Sequence, residues 1–203
     1  SGPALNRSIE GIETEDGKDV TMSVVIISAP PYSGGDQIAA RAAEQLGYRL
    51  VGGEVLETAA HEYGISSEQL AKAVHEPAGW RSMSRRDRIV ALAAIDSTLW
   101  DFIIEGKCVC HGLAAHLHVE RVSHIVRVRV TGALERRIEN AMKHEGLSEG
   151  KARKLVVGLD KHRRRWVKDL FEVDESDPEL FDLVVDHGTE DLDAATREIV
   201  DLA

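Results

Sequence analysis

Cysteine is nearly missing from the chain: its 203 residues hold two, Cys108 and Cys110. They stand one residue apart, too close for a sensible bridge, so no disulfide framework is possible. A reducing compartment, the cytoplasm, is the simpler expectation. Long apolar runs are also missing. None approaches the roughly 18–20 residues needed to span a bilayer. The first twenty residues, SGPALNRSIEGIETEDGKDV, carry five acids against two bases and lack both an apolar h-region and a twin arginine. Residues 1–21 therefore read as a disordered acidic leader or an expression remnant, with Ser1 as a scar and Met22 as an internal start. Positive charge is in deficit as well, with 25 Lys and Arg against 35 Asp and Glu and a net charge of −10. That balance argues against broad nucleic-acid or membrane binding. What remains is a hydrophobic fraction of 43%, too high for a disordered chain, in a length that suits one domain.

The charge is unevenly spread. Residues 121–170 hold 14 Lys and Arg against 6 Asp and Glu, whereas residues 171–203 hold 1 against 12. A basic segment inside an acidic chain suits a small polyanion such as a nucleotide. A solvated, salt-bridged helix hairpin explains the same charge, and charge alone favours that plainer reading.

Strand and helix patterns alternate. Ser23–Ser28 (SVVIIS) is a continuous apolar run of the kind found in central parallel strands. The turn APPYSGG follows, then Gln37–Leu46 reads as a helix with Ile38, Ala42, Ala43 and Leu46 on one face and Gly47 as its stop. Glu54–Tyr63 is helical. Ser66-Ser67-Glu68-Gln69 is a capping box opening a helix over Glu68–His75, and Glu76-Pro77-Ala78-Gly79 is a break. Arg85–Asp101 reads as a helix with Ile89, Leu92, Ala93, Leu99 and Trp100 on its apolar side. Phe102–Glu105 is predicted as the second strand, ending at Gly106-Lys107, with a short helix over Gly112–His118. His124–Val130 is a third strand. Ala133–Glu145 and Glu149–Leu170 are long charged helices, Leu183–Val185 a last strand, and Asp191 the cap of a closing helix over Leu192–Leu202. The order implies a doubly wound parallel sheet whose ligands sit at the carboxyl ends of the strands. It places the 29–36 turn, Gly106-Lys107 and the end of strand 124–130 along one rim.

A strand, a Gly-rich turn and a helix start can cradle a phosphate with backbone N–H groups. The full pattern G-x-x-x-x-G-K-[ST] is absent, because Ser33-Gly34-Gly35-Asp36 has no lysine and its next side chain is acidic. Taken further, the stretch YSGGDQIAARAAEQLGYRLVGGEVL resembles the opening of the cytidylate-kinase-like family of P-loop kinases, S-R-E-Y-G-S-G-G-R-E-I-A…L-A-E-K-L-G-Y…D-R-E-I-I. Ile103-Ile104-Glu105-Gly106-Lys107 resembles its V-I-V-G-R. Val126–Val130 with Leu134–Ile138 is similar to its strand and the start of its lid. Asp160-Lys161-His162-Arg163 with Trp166 and Phe171 resembles the D-K-x-R…F…F lid segment, and Asp177–Val184 resembles D-P-x-L-Y-D-L-V. The matches run in order from about residue 22 to the C-terminus.

The resemblance implies a three-layer α/β fold of the P-loop kinase type over 22–203, with a helical acceptor region near 53–100 and a helical lid near 132–170. It implies transfer of the ATP γ-phosphoryl group, with Mg²⁺, to a nucleoside monophosphate, CMP or dCMP first. Phosphates would sit over Tyr32, Ser33, Gly34, Gly35, Asp36 and Gln37, and the acceptor near Lys107 and Arg129. Arg137 and Arg163 fall at lid positions where forked guanidinium groups close on phosphates. Asp160 would orient Arg163 or meet the acceptor. The plainer alternatives are helix-surface ion pairs, Arg163 with Asp160 among them, and a half-exposed strand residue at Arg129. Several positions depart from the family. The expected arginine is Asp36, the expected glycine is Tyr32, Pro30 and Pro31 remove N–H donors, and Asp-Arg becomes Gly52-Gly53. Each loses charge or donors, so a nucleotide-binding or regulatory protein with weakened or lost catalysis is the alternative reading.

The pattern C-x-C-H-x4-H-x-H over 108–118 fits no zinc spacing, and buried free thiols are the better reading, with no metal assigned. Arg163-Arg164-Arg165 has no aromatic platform beside it and reads as a solvated helix rather than a nucleic-acid surface. Trp80 and Trp100 read as packing residues, and Trp166 as a support for the lid.

Overall fold

The computed structural model describes residues 24–75, 82–119, 122, 124–186 and 191–203. The acidic leader, Met22, the break at 76–79 and Trp80 fall outside the described residues. Five strands form one parallel sheet: β1 (Val24–Ser28), β2 (Arg49–Val51), β3 (Cys108–His111), β4 (Ile125–Thr131) and β5 (Leu183–Asp186), in the order β2-β3-β1-β4-β5. The helices among the described residues are α1 (Gly35–Leu46), α2 (Glu54–Tyr63), α3 (Ser67–His75), α4 (Arg85–Glu105), α5 (Leu134–Glu145), α6 (Glu149–Phe171) and α7 (Leu192–Leu202).

Side chains on the central strands alternate between two cores, as the two-residue repeat of a strand requires. Val24, Ile26, Cys108 and Cys110 pack under α2, α3 and α4. Val25, Ile27 and Val109 pack under α1 and α7. Helices therefore cover both faces, which is why residues 24–27 of β1 can be apolar throughout. This is the expected three-layer, doubly wound architecture. β1 lies between β3 and β4, and connections leave it in opposite directions, so their loops part at its carboxyl end and leave a crevice. Helix α3 opens as its capping box predicts, with the Gln69 N–H donating to Ser66 Oγ at 3.2 Å.

Several boundaries differ from expectation. Phe102–Glu105 is the last turn of α4, not a strand. Phe102 and Ile103 continue the buried face begun by Ile95 and Leu99, while Ile104 is 67% exposed. Helical period thus overrides the short apolar run, and Gly106, at φ 70°, ends the helix. The second strand in sequence from this region is Cys108–His111 instead. The apolar side of α4 is also rotated: Ile89 is 58% exposed and Ala93 is exposed, while Ala91, Ala94, Ile95 and Leu99 are buried. Small alanines allow close packing on α2, which the pattern of large residues does not reveal. Helix α1 starts two residues early, at Gly35. The predicted helix over Gly112–His118 is a single 3₁₀ turn, Ala115–Leu117. Asp191 holds the N-cap position of α7, but its side chain makes no capping hydrogen bond.

Cys108 and Cys110 are buried on one face of β3 with their sulfurs 3.7 Å apart. Among the described residues no three His, Cys, Asp or Glu converge as a metal site. Among them, too, no helix is long and apolar enough to cross a membrane.

Candidate functional site

The turn between β1 and α1 forms one wall of a cleft of about 480 Å³. Its residues are Ala29–Gln37, which include the expected Tyr32, Ser33, Gly34, Gly35, Asp36 and Gln37. Gly34 stands at the N-cap with φ 80° and supplies no side-chain cap. The first-turn amides of α1 are therefore open to an anion, at the positive end of the helix. Pro30 and Pro31 contribute no donors, but Pro30 O accepts from the Ser33 N–H at 3.3 Å and from Ser33 Oγ at 2.7 Å, which closes the turn.

Tyr32 adopts φ 63°. A left-handed residue at this place explains the glycine that the resemblance leads one to expect. Tyrosine holds the same backbone because its side chain is anchored. Its hydroxyl donates to Glu145 Oε1 at 2.9 Å, and its carbonyl accepts from Asn140 Nδ2 at 3.0 Å. Both partners lie on α5, so Tyr32 ties the turn to that helix.

Arg137 and Arg163 come to the same turn from α5 and α6. Arg137 is buried. Its Nε donates to Pro31 O at 2.9 Å, and its two terminal nitrogens make a forked pair with Asp160 at 2.9 and 2.6 Å. Asp160 therefore holds Arg137 across the hairpin. Arg163, expected to pair with Asp160 if it were a surface residue, donates instead to Ala29 O and Ser28 Oγ, both at 3.0 Å, and is paired with Glu175. Arg129 turns inward from β4 and donates to Ser28 Oγ and Glu175 Oε1, both at 3.0 Å. Glu175 is 4% exposed, so one buried carboxylate holds two arginines beneath the turn. Burial pulls Arg163 below its usual basicity, and the Glu175 carboxylate opposes that pull.

Lys107 is not brought to this site. It precedes β3, and the register pairs Cys108 with Val24 at the start of β1. Lys107 therefore lies at the amino-terminal edge of the sheet, about 13–17 Å along the strands from the cleft. The displacement follows from reading Phe102–Glu105 as the strand. The carboxyl end of β3 is His111, followed by Gly112, and both line the cleft.

Sequence reading missed Arg136, Asn140 and His144, which line the cleft from α5. Their spacing of four residues puts them on one helix face, which is the pattern that could have found them. Glu175 was missed because it sits in a short acidic loop where no local period distinguishes one carboxylate from the next.

Behind the arginines, His116 is buried and stacked on Phe181 at 4.9 Å. Neither ring nitrogen has a partner among the described residues. Burial, reinforced by Arg163 and Arg129, pushes its pKa down from 6.5 to about 3. The folded protein thus holds His116 neutral, while the unfolded chain takes up a proton below about pH 6.5. Its contribution is present above that value and is lost as pH falls towards 3, at roughly 1.4 kcal/mol per pH unit. Urea unfolding at pH 7 and pH 5 should show this loss, and His116→Leu should reduce it by about one proton's worth of slope.

Gly35 is sterically required. A Cβ placed there would stand 2.2 Å from Ala29 Cβ and 3.3 Å from His111 Nε2. Gly35→Ala should therefore destabilise the domain by about 1–3 kcal/mol in a chemical melt, and Ala29→Gly in the same chain should recover most of that loss.

The model of the cytidylate kinase-like family matches residues 24–189. A cytidylate kinase of Methanopyrus kandleri is 30% identical over 176 residues, covering 82% of this chain and 86% of that protein. One from Ignicoccus hospitalis is 31% identical over 169 residues, covering 81% and 89%. Among solved structures, an uncharacterized protein from Eubacterium ventriosum superposes with a TM-score of 0.69 at 19% identity, over 89% of this chain and 97% of that one. Shikimate kinase from Bacteroides thetaiotaomicron superposes with a TM-score of 0.55 at 6% identity, over 89% and 97%. These structures show a P-loop kinase type of fold, and with the match over most of its length the chain belongs to the cytidylate kinase-like family.

Proposed function

We propose that this protein is a nucleoside monophosphate kinase that moves the γ-phosphoryl group of ATP to CMP or dCMP. The observation that carries the reading is that Arg137 and Arg163 bind the turn leading into α1 while Arg136 and Arg163 line the cleft beside it, in a chain of this family. Phosphoryl transfer needs positioning and positive charge around the transferring oxygens, and little else from the protein. In this reading α5 and α6 are the lid and α2–α4 border the acceptor. Arg163 and Arg136 face the phosphates, and Arg137, held by Asp160, fixes the turn that carries them. The names of the curated relatives supply the choice of CMP.

Mg²⁺ fits the donors present. Asp36 is exposed in the first turn of α1 and lines the cleft. A single carboxylate together with substrate phosphates is a usual set for this hard cation. Asp36 would hold it, and the ion would supply neutralisation of phosphate charge. This accounts for an acid where the family has an arginine.

The test is release of ADP from ATP and Mg²⁺ with each nucleoside monophosphate in turn. The reading expects a rate that rises with CMP or dCMP and saturates. ATP binding without any acceptor-dependent release would instead favour the second reading, a nucleotide-binding regulator on this fold. Asp36, Tyr32, the two prolines in the turn and Gly52-Gly53 are what favour that alternative.

A further inference from the structure

The pattern G-x-x-x-x-G-K-[ST], laid over Ala29–Asp36, puts its lysine at Gly35 and its first glycine at Ala29. Both exchanges have a structural consequence. The Ala29 methyl stands 2.2 Å from the place where a Gly35 Cβ would begin, so no lysine can leave the backbone there without a shift. The next group at that place is His111 Nε2, at 3.3 Å. His111 is the last residue of β3, it lines the cleft, and its ring has no hydrogen-bond partner among the described residues.

We propose that His111 takes the part of the absent lysine, with Nε2 donating to the terminal phosphates of a nucleoside triphosphate bound on the first turn of α1. The assignment rests on the nucleotide-kinase reading for its ligand and on the Gly35–Ala29–His111 geometry for its residue. An imidazole has fewer rotatable bonds than a lysine side chain. Strand pairing fixes its backbone, and Gly35 leaves room for the ring. It also differs from lysine in being titratable. Burial lowers the basicity of free His111 and Arg163 lowers it further, while Asp36 raises it. Arg136 and His144 face the same cleft from α5. A bound polyphosphate adds negative charge beside the ring and favours the imidazolium, so binding takes up a proton and tightens as pH falls.

The experiment is calorimetric binding of Mg²⁺–ATP and of inorganic tripolyphosphate at pH 6.5 and 8.0, to the wild type, His111→Gln and His111→Lys. Melting curves establish that each variant is folded. The wild type should bind both probes, more tightly at pH 6.5. His111→Gln should bind each roughly tenfold more weakly at pH 6.5 and lose most of the pH dependence. His111→Lys should restore affinity with no such dependence. Wild-type affinity in His111→Gln, or failure of His111→Lys to restore a folded protein's binding, overturns the proposal. So does a wild type that binds neither probe. If binding follows the proposal but no monophosphate is phosphorylated, the kinase reading fails and the His111 contact stands.

Discussion

Arg163→Ala is expected to lower kcat/KM for phosphoryl transfer by at least tenfold, about 1.4 kcal/mol of transition-state stabilisation. Arg163 reaches from α6 to the end of β1 and the start of the turn, donating to Ser28 Oγ and Ala29 O, and lines the cleft between them. Truncation removes a permanent charge beside the proposed phosphate site. It also removes the direct bond between α6 and Ala29, the residue at which the turn begins. Arg163→Lys keeps the charge but loses the fork that reaches both acceptors at once, so an intermediate loss is expected. Steady-state kinetics separate the two effects. A loss confined to kcat marks a contact made in the transition state, and a rise in KM alone marks uniform binding. Unaltered kinetics in Arg163→Ala would remove α6 from the proposed lid.

Glu175→Ala should destabilise the fold by about 3–5 kcal/mol. Its carboxylate is buried and takes charge-assisted bonds from Arg129 and Arg163. Removing it strands two partly buried guanidinium groups side by side. For a domain of this size the melting temperature should fall by roughly 6–20 °C. The penalty comes from the uncompensated charges rather than from the worth of the pair itself. Arg129→Met in the same chain should therefore recover part of the loss, because one stranded charge is gone. Melting temperatures of the two variants measure this. A loss of under about 1 kcal/mol on Glu175→Ala would mean that water reaches the arginines in solution.

Much of the fold was legible because it rests on local signals. The apolar run of β1, Gly47 at the end of α1, and the capping box of α3 each act within a few residues. The error at Phe102–Glu105 has a physical cause. Three apolar residues satisfy either period, and only the packing of Phe102 and Ile103 beside Ile95 and Leu99 decides between them. That one misassignment moved the strand by six residues and carried Lys107 to the wrong edge of the sheet.

The site was legible where one element supplies it, as in the turn at Tyr32–Gln37. It was less legible where partners come from different elements. The sequence points to Arg137, Asp160 and Arg163 together, but not to which of them pair. Asp160 serves Arg137, 23 residues away, rather than Arg163 one turn on. Glu175 and His111 gain their meaning only from the sheet order that brings β1, β3 and β4 together.

The central claim is that the cleft transfers phosphate between nucleotides. It is tested most directly by chromatography of the protein incubated with ATP, Mg²⁺ and an equimolar mixture of all ribo- and deoxyribonucleoside monophosphates. Growth of CDP or dCDP above the control without protein, matched by ADP, is the result this account predicts. Survival of every monophosphate at high protein concentration would contradict it.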